Sequence, residues 1–182
     1  MRHIIHKWFW AWDFDKEEKG LNEMASKGLA LIGTGFCKYE FEECTPGEYT
    51  FRIELLENHL GHPESQRYIQ FLEDTGVEQV GSYMRWCYFR KKQVDGQFDL
   101  FSDFDSRIRH LNRIQLLVLP VMLLNLLNAL NLFHLYWSYD RPSELFFLGL
   151  LLLLITGILA YAWGRLQMKK NKLKKEREIS EN

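Results

Sequence analysis

Apolar residues follow two different patterns along the chain. Up to about residue 113 they alternate with charged residues or recur at helical spacing, whereas two later stretches are almost wholly apolar. Leu116–Trp137 has 22 residues and Leu145–Trp163 has 19, and neither contains Asp, Glu, Lys or Arg. At about 1.5 Å per residue, each can cross roughly 30 Å of hydrocarbon. The pattern predicts a two-helix transmembrane hairpin within residues 114–166, linked by Ser138–Glu144.

The first part of the chain is predicted to be a separate α+β domain, residues 1–95. The predicted elements are a strand over 4–12, a helix from Asp13 to Gly28, strands over Leu29–Glu42 and Glu48–Leu55 joined by a turn at Thr45–Gly47, a helix from His62 to Gly76, and a strand over Val77–Arg90. The order β-α-β-β-α-β is typical of a ferredoxin-like sandwich. We expect both helices on one sheet face and the first and last strands side by side.

The membrane hairpin is flanked by basic residues on the side of both termini. The basic residues next to the spans are Arg107, Arg109 and Arg113 before the first span and Arg165, Lys169, Lys170, Lys172, Lys174, Lys175 and Arg177 after the second, whereas the link has only Arg141, offset by Asp140 and Glu144. The positive-inside rule then predicts a two-pass protein of the cell membrane with both termini in the cytoplasm. Residues 96–113 are predicted to form a connecting amphipathic helix, and residues 167–182 a basic cytoplasmic tail.

Each predicted span carries a row of polar or small residues. Thr156, Ala160 and Gly164 recur every fourth residue, a spacing that lets a second helix approach closely. Asn125, Asn128, Asn131 and His134 recur every third residue and form a slanting polar ridge. Two interpretations of the ridge stay open: hydrogen bonding between helices or protomers, and a polar path or ligand site in an oligomer.

Charge and cysteine content narrow the function classes. Residues 1–113 hold 15 Lys and Arg against 19 Asp and Glu, an acidic balance that argues against nucleic-acid binding. The three cysteines include no Cys-x-x-Cys pair, which favours reduced thiols in a reducing compartment. The N-terminus lacks the apolar run of a secretory signal peptide.

An ordered set of short motifs resembles a known family. The motifs are Trp12–Glu18 with Leu21–Ala25 and Lys27-Gly28, Tyr39–Phe41 with Tyr49–Arg52, Phe71–Asp74 with Gly76, and Phe101–Asp103. Together, over roughly residues 5–110, they are similar to the bacterial domain-of-unknown-function family 2812. Gly20 departs from the bulky aromatic residue expected before Leu21.

The resemblance implies a cytoplasmic domain followed by transmembrane helices, mostly in Gram-positive bacteria. It also implies frequent genomic proximity to PadR-type transcriptional regulators, so such a regulator is a partner by analogy only. It implies no catalytic residues.

Candidate chemical sites outside the aromatic residues have little support. His59 and His62 lack an identified third ligand, so we expect no bound metal. Gly33-Thr-Gly35 lacks the remainder of a phosphate loop and is better explained by a β-bulge or turn. With no catalytic constellation in view, we expect neither an enzyme nor a cofactor.

The first and last predicted strands carry more aromatic residues than one buried face needs. The candidate binding platform consists of Trp8, Trp10, Trp12, Trp86 and Tyr88. Such a patch is either covered by another part of the chain or a second protomer, or free to bind a partner or apolar ligand.

These observations lead to two hypotheses. The first is a membrane-tethered, non-enzymatic binding or regulatory module that senses a ligand or binds a partner through its cytoplasmic domain. The alternative is an oligomeric membrane component, such as a small transporter or envelope-stress protein, that uses the polar ridge. Expected partners are the lipid bilayer and further copies of the chain, with no nucleic acid.

Overall fold

The chain divides into two compact units, Met1–Ser102 and Asp103–Asn182. Their structure is a computed structural model that describes residues 2–101, 103–139 and 143–180. The elements are β1 (Arg2–His6), α1 (Phe14–Ser26), β2 (Leu29–Gly35), β3 (Lys38–Glu43), β4 (Tyr49–Leu55), α2 (Pro63–Asp74), β5 (Glu78–Tyr83), β6 (Trp86–Lys92), α3 (Phe104–Tyr139) and α4 (Ser143–Ser180). The first unit is α+β and the second is helical.

The first unit contains the same β-α-β-β arrangement twice. One antiparallel sheet has the order β1-β3-β2 and the other has the order β4-β6-β5. The strand register shifts between Leu31 and Gly33 in the first sheet and between Gln79 and Gly81 in the second. Each sheet therefore has one β-bulge or similar irregularity at these described positions. Gly28 and Gly76 follow the two helices with φ of 86° and 80°, as predicted for helix C-caps.

The structure corrects the strands of the predicted ferredoxin-like order, because two predicted single strands are hairpins. Leu29–Glu42 is not one strand but the hairpin β2–β3, and Val77–Arg90 is the hairpin β5–β6. Two-residue turns separate the paired strands, and Cys37 and Met84 there have positive φ values of 54° and 56°. Neither residue type favours that conformation, so the sequence carried no strong turn signal.

The predicted strand neighbours are also wrong. The strands on either side of Thr45–Gly47 do not form a hairpin, because β3 and β4 belong to different sheets. The first strand ends at His6, and β1 pairs with β3, while β6 lies between β4 and β5.

The two helices do not share one sheet face. Tyr88 belongs to the core around α1, whereas its neighbours Cys87 and Phe89 belong to the core around α2. Because successive residues of a strand point to opposite faces, the second sheet is covered on both sides. Its central strand is accordingly apolar at four consecutive positions, Trp86–Phe89.

Side chains of α1 satisfy the backbone of β4. Asn22 Oδ1 accepts a hydrogen bond from Phe51 N at 2.8 Å, and Asn22 Nδ2 donates to Phe51 O at 3.0 Å. Glu18 Oε2 accepts from Ile53 N at 3.0 Å. These bonds occupy the strand groups that β6 does not pair, and so protect an edge that would otherwise be open to another strand.

A close approach joins the two sheets between β2 and β5. A Cβ atom at Gly81 would lie 2.7 Å from Thr34 Oγ1 and 3.0 Å from Thr34 N, so only glycine fits there. Arg90 on β6 adds a polar link to the first sheet, with its Nη1 atom 3.5 Å from Glu42 Oε1 and its Nε atom 2.7 Å from Glu78 Oε2 on β5.

The second unit is a pair of long helices. Asp103 caps α3 by accepting a hydrogen bond from Ser106 N at 2.6 Å, and α3 continues without a break past Pro120. Polar contacts join the first part of α3 to the last part of α4. Lys170 Nζ donates to Gln115 Oε1 at 2.9 Å, and Arg177 Nη1 lies 2.6 Å from Asp105 Oδ1. Of the predicted link, residues 140–142 lie outside the described residues.

Candidate functional site: an aromatic pocket

The segment after β1 brings tryptophans onto the first unit. Lys7 N donates to Cys37 O at 3.1 Å, which anchors the segment beside the β2–β3 turn. The following residues then form a short 3-10 helix, Ala11–Asp13, that leads into α1. The rings of this segment therefore meet the hairpin turns rather than continuing the sheet.

Aromatic rings from three places in the chain surround a pocket of about 220 Å³. We call it the aromatic pocket, and its principal rings are Trp8, Phe9, Trp10, Phe36, Trp86 and Tyr88. Trp8 contacts Trp10 edge-to-face at 5.3 Å between ring centroids, and contacts Phe36 in the same way at 5.7 Å. These geometries are the favoured ones for aromatic pairs, so the rings hold one another in place.

The pocket runs from exposed rings to a buried carboxyl group. Trp8, Trp10 and Phe36 are 53%, 47% and 65% exposed. At the other end Glu17 is buried, and its Oε1 atom accepts hydrogen bonds from Tyr39 Oη at 2.7 Å and Tyr88 Oη at 2.6 Å. The carboxyl group and both hydroxyls are contributed by α1, β3 and β6, so three elements converge on this end.

The charge of Glu17 is not balanced by a basic side chain. In the part of the chain that the structure describes, its partners are the two tyrosine hydroxyls, and both bond to Oε1. Burial raises the pKa of Glu17 above its usual 4.5, and the two hydrogen bonds oppose that rise. The pKa values of Tyr39 and Tyr88 are also raised, first by burial and then by the neighbouring carboxylate, so both phenols stay protonated donors.

A second pocket of about 270 Å³ shares Glu17 and Tyr39 with the aromatic pocket. It is lined by parts of α1 and by Ile5 and Phe41 of the first sheet. Lys7 lines both pockets, and its Nζ atom lies 4.7 Å above the centre of the Phe9 ring. Glu17 therefore lines both pockets.

The structure brings together four residues of the predicted platform. Trp8, Trp10, Trp86 and Tyr88 line the aromatic pocket. Trp12 does not line it: it is buried, and its ring stacks on Trp10 at 4.9 Å. The four meet because residues 7–13 cross to the hairpin turns, not because the first and last strands are neighbours.

Two contributors to the site were absent from the sequence prediction. Glu17 lies near the start of the predicted helix from Asp13 to Gly28, where carboxylates are common, so the sequence gives no sign that it is buried. Phe36 lay within a predicted strand and became visible as a pocket residue only once the β2–β3 turn was known. The recurrence of glycine at 28 and 76 and at 33 and 81 is a signal that could have indicated the two similar β-α-β-β halves of the first unit.

The remaining sequence candidates form no metal or thiol site. His59 and His62 contact each other edge-to-face at 5.9 Å, and His62 Nδ1 caps α2 by accepting from Glu64 N at 3.3 Å. Among the described residues no group of three or more His, Cys, Asp or Glu side chains is placed to hold a metal. Burial raises the pKa of Cys87 to about 12, which keeps it an unreactive thiol.

The residues of the two rows on the long helices are exposed or half-buried. Gly149 lies against Phe133, whereas a Cβ atom at Gly164 would meet nothing within 4 Å among the described residues. Thr156 is half-buried, with its hydroxyl bonded to Leu152 O at 2.8 Å, and Ala160 is exposed. Asn128, Asn131 and His134 are exposed, and Asn125 is half-buried with its amide bonded to Val121 O at 2.9 Å.

Comparison with known proteins places the chain in a family without assigning an activity. The model of the family described as protein of unknown function (DUF2812) matches residues 13–123, so the chain belongs to that family. A comparison with curated proteins and one with solved structures each found no match. Trp8, Trp10 and the other rings before residue 13 precede the matched region.

Proposed function

We propose that this protein is a membrane-tethered, non-enzymatic binding module that senses a small molecule in the aromatic pocket. The observation that carries the proposal is the pocket itself, in which half-exposed tryptophans lead to a buried carboxyl group. Several exposed aromatic rings in one patch are unfavourable in water, and a bound ligand covers them. The regulatory part of the proposal is that ligand occupancy is reported to a cytoplasmic partner.

Tethering is supported by the composition of the two long helices. Both are long and apolar enough to cross a membrane by length and composition, with mean hydropathies of 2.1 and 2.5 over their most apolar windows. The basic residues near the two apolar stretches lie before the first and after the second, except Arg141 in the link, which Asp140 and Glu144 offset. By the positive-inside rule, the proposed orientation has the first unit and both termini in the cytoplasm.

A second candidate function is an oligomeric membrane component. It is favoured by the exposed side chains of Asn128, Asn131 and His134 on α3. Polar side chains in hydrocarbon are costly unless they bond to another helix, so a second copy is their natural partner. The open surface at Gly164 permits close approach on α4.

The test of the sensing function is recovery of the natural ligand. The full-length chain is purified from native membranes, and its bound small molecules are extracted and compared by mass spectrometry between wild type and Trp86→Leu. Phe71→Leu is the matched control, because Phe71 is an exposed ring on α2 outside the pocket. We expect a molecule that is present in wild type and the control but depleted in Trp86→Leu; identical extracts from all three would contradict the proposal.

A further inference from the structure

We propose that the aromatic pocket binds a small organic ammonium cation, with Glu17 as its counter-charge and the rings of Trp8, Trp10 and Trp86 as its walls. The inference rests on the proposed function and names the chemical class of its ligand. The second pocket beside Glu17 is not needed for it.

The first argument is the unpaired charge of Glu17. The side chain is 8% exposed, and no Lys, Arg or His forms an ion pair with it in the part of the chain that the structure describes. Both tyrosine hydroxyls bond to Oε1, which leaves Oε2 without a hydrogen bond among the described residues. Because a buried carboxylate is costly without a cationic partner, the free oxygen is the place where a ligand cation gains most.

The second argument is the chemistry of the walls. The faces of indole and phenol rings carry negative electrostatic potential and attract cations, most strongly when water is excluded. Trp86 and Tyr88 line the pocket with Glu17, and the half-exposed Trp8 and Trp10 form its outer part. An ammonium group with apolar substituents matches both the ring faces and the carboxylate.

Other ligand classes fit less well. An anion would be repelled by the carboxylate of Glu17. The basic side chain that lines the pocket, Lys7, lies over the Phe9 ring. A neutral apolar ligand would displace water and leave the carboxylate uncompensated. The volume of about 220 Å³ is below the roughly 300–1,000 Å³ typical of pockets for drug-sized ligands, so the ligand is small.

The test compares two probes of the same shape that differ in charge. Choline and its neutral carbon analogue 3,3-dimethylbutan-1-ol are titrated into the full-length chain in nanodiscs of zwitterionic lipid, with empty nanodiscs as the blank. We expect choline to bind at least about tenfold more tightly, because only the cation gains from the rings and the carboxylate. Equal affinities, or no binding of choline, would overturn the proposal.

Variants test whether the preference for choline over the neutral probe arises in the aromatic pocket. Glu17→Gln keeps the side-chain shape and is expected to lower choline affinity at least about tenfold and abolish the preference over the neutral probe. Glu23→Gln removes an exposed charge from the same helix and is expected to keep both affinities within about twofold. Trp86→Leu supplies an independent test if Glu17→Gln fails to fold, and it should weaken choline binding. A preference that persists in Glu17→Gln, or an unchanged choline affinity in Trp86→Leu, would overturn the proposal.

The outcome is separable from that of the proposed function. If choline fails but a molecule still depends on Trp86 in the extraction experiment, the cation inference is wrong and sensing stands. If the extracts do not depend on Trp86 either, both proposals fail.

Discussion

The hydroxyl of Tyr88 lies 2.6 Å from Glu17 Oε1 and so joins the central strand of the second sheet to the first helix. Tyr39 of the first sheet donates to the same oxygen at 2.7 Å. One carboxyl oxygen therefore links the two β-α-β-β halves of the first unit at the buried end of the aromatic pocket. The contribution of Glu17 to the stability of the fold and its proposed contribution to ligand binding can be measured separately.

The pH dependence of stability should contain a contribution from Glu17. Because its pKa is raised in the folded state, its contribution is fully present below pH 4.5 and is lost as pH rises through the folded-state pKa. Each pKa unit of the rise corresponds to about 1.4 kcal/mol. We expect Glu17→Gln to flatten the fall in unfolding midpoint above pH 4.5, measured by thermal unfolding of the full-length chain in detergent. Glu23→Gln should keep the wild-type slope; an unchanged slope in Glu17→Gln would contradict this assignment.

Replacing Asn22 by Ala should expose the edge of β4. The substitution removes both bonds to Phe51 and leaves the buried Phe51 amide without a partner among the described residues, at a cost of about 1–3 kcal/mol, whereas Phe51 O keeps the bond donated by Arg52 Nη1 at 3.0 Å. Hydrogen exchange should show faster exchange of the Phe51 amide, and aggregation should increase. Asn58→Ala is the control, since that side chain donates a hydrogen bond at the surface, to Glu64 Oε2. Wild-type protection at Phe51 would show that the edge does not depend on Asn22.

Gly81→Ala should destabilise the first unit. The added Cβ atom would lie 2.7 Å from Thr34 Oγ1 and 3.0 Å from its backbone nitrogen, so β2 and β5 must separate. Overpacking of this kind costs about 1–3 kcal/mol. Gly35→Ala is the matched control, because its Cβ atom would meet Lys38 at an ordinary 3.9 Å. Thermal unfolding should separate the two variants, and equal midpoints would mean that the sheets do not meet as closely as described.

Two glycines of α4 should respond differently to a larger side chain. A Cβ atom at Gly149 would lie 3.0 Å from the Phe133 ring, so Gly149→Ile should disrupt the pairing of α3 with α4, detected by loss of an engineered disulfide between them. Gly164→Ile should keep that pairing and reduce self-association in membranes, measured by energy transfer between labelled chains. Self-association that is unaffected by Gly164→Ile would remove the packing role of Thr156, Ala160 and Gly164.

The sequence predicted the elements that depend on local signals. The helix beginning after Asp13, the caps at Gly28 and Gly76, and the helix opening at His62-Pro63 follow from residue preferences near helix ends, and the structure confirms them. The two long apolar runs likewise gave long helices, because their length and composition need no tertiary information.

The sheet order could not be predicted because its turns and contacts are not local. The turns at Cys37 and Met84 use residues that rarely adopt positive φ, so two hairpins looked like two long strands. The edge of β4 is closed by Asn22, 29 residues away in the chain. The tryptophans were predicted from the sequence as a candidate binding platform, whereas the burial of Glu17 depends on Tyr39 and Tyr88, which no spacing in the sequence relates to it.

The most direct test of the central claim is photo-crosslinking from the pocket in living cells. A photoreactive phenylalanine replaces Trp10 in the full-length chain, and the same residue replaces the exposed Phe71 as the control. We expect the chain labelled at position 10 to gain the mass of a discrete small molecule that the chain labelled at position 71 does not acquire. A crosslink only to another protein, or identical products at both positions, would contradict a small-molecule sensor.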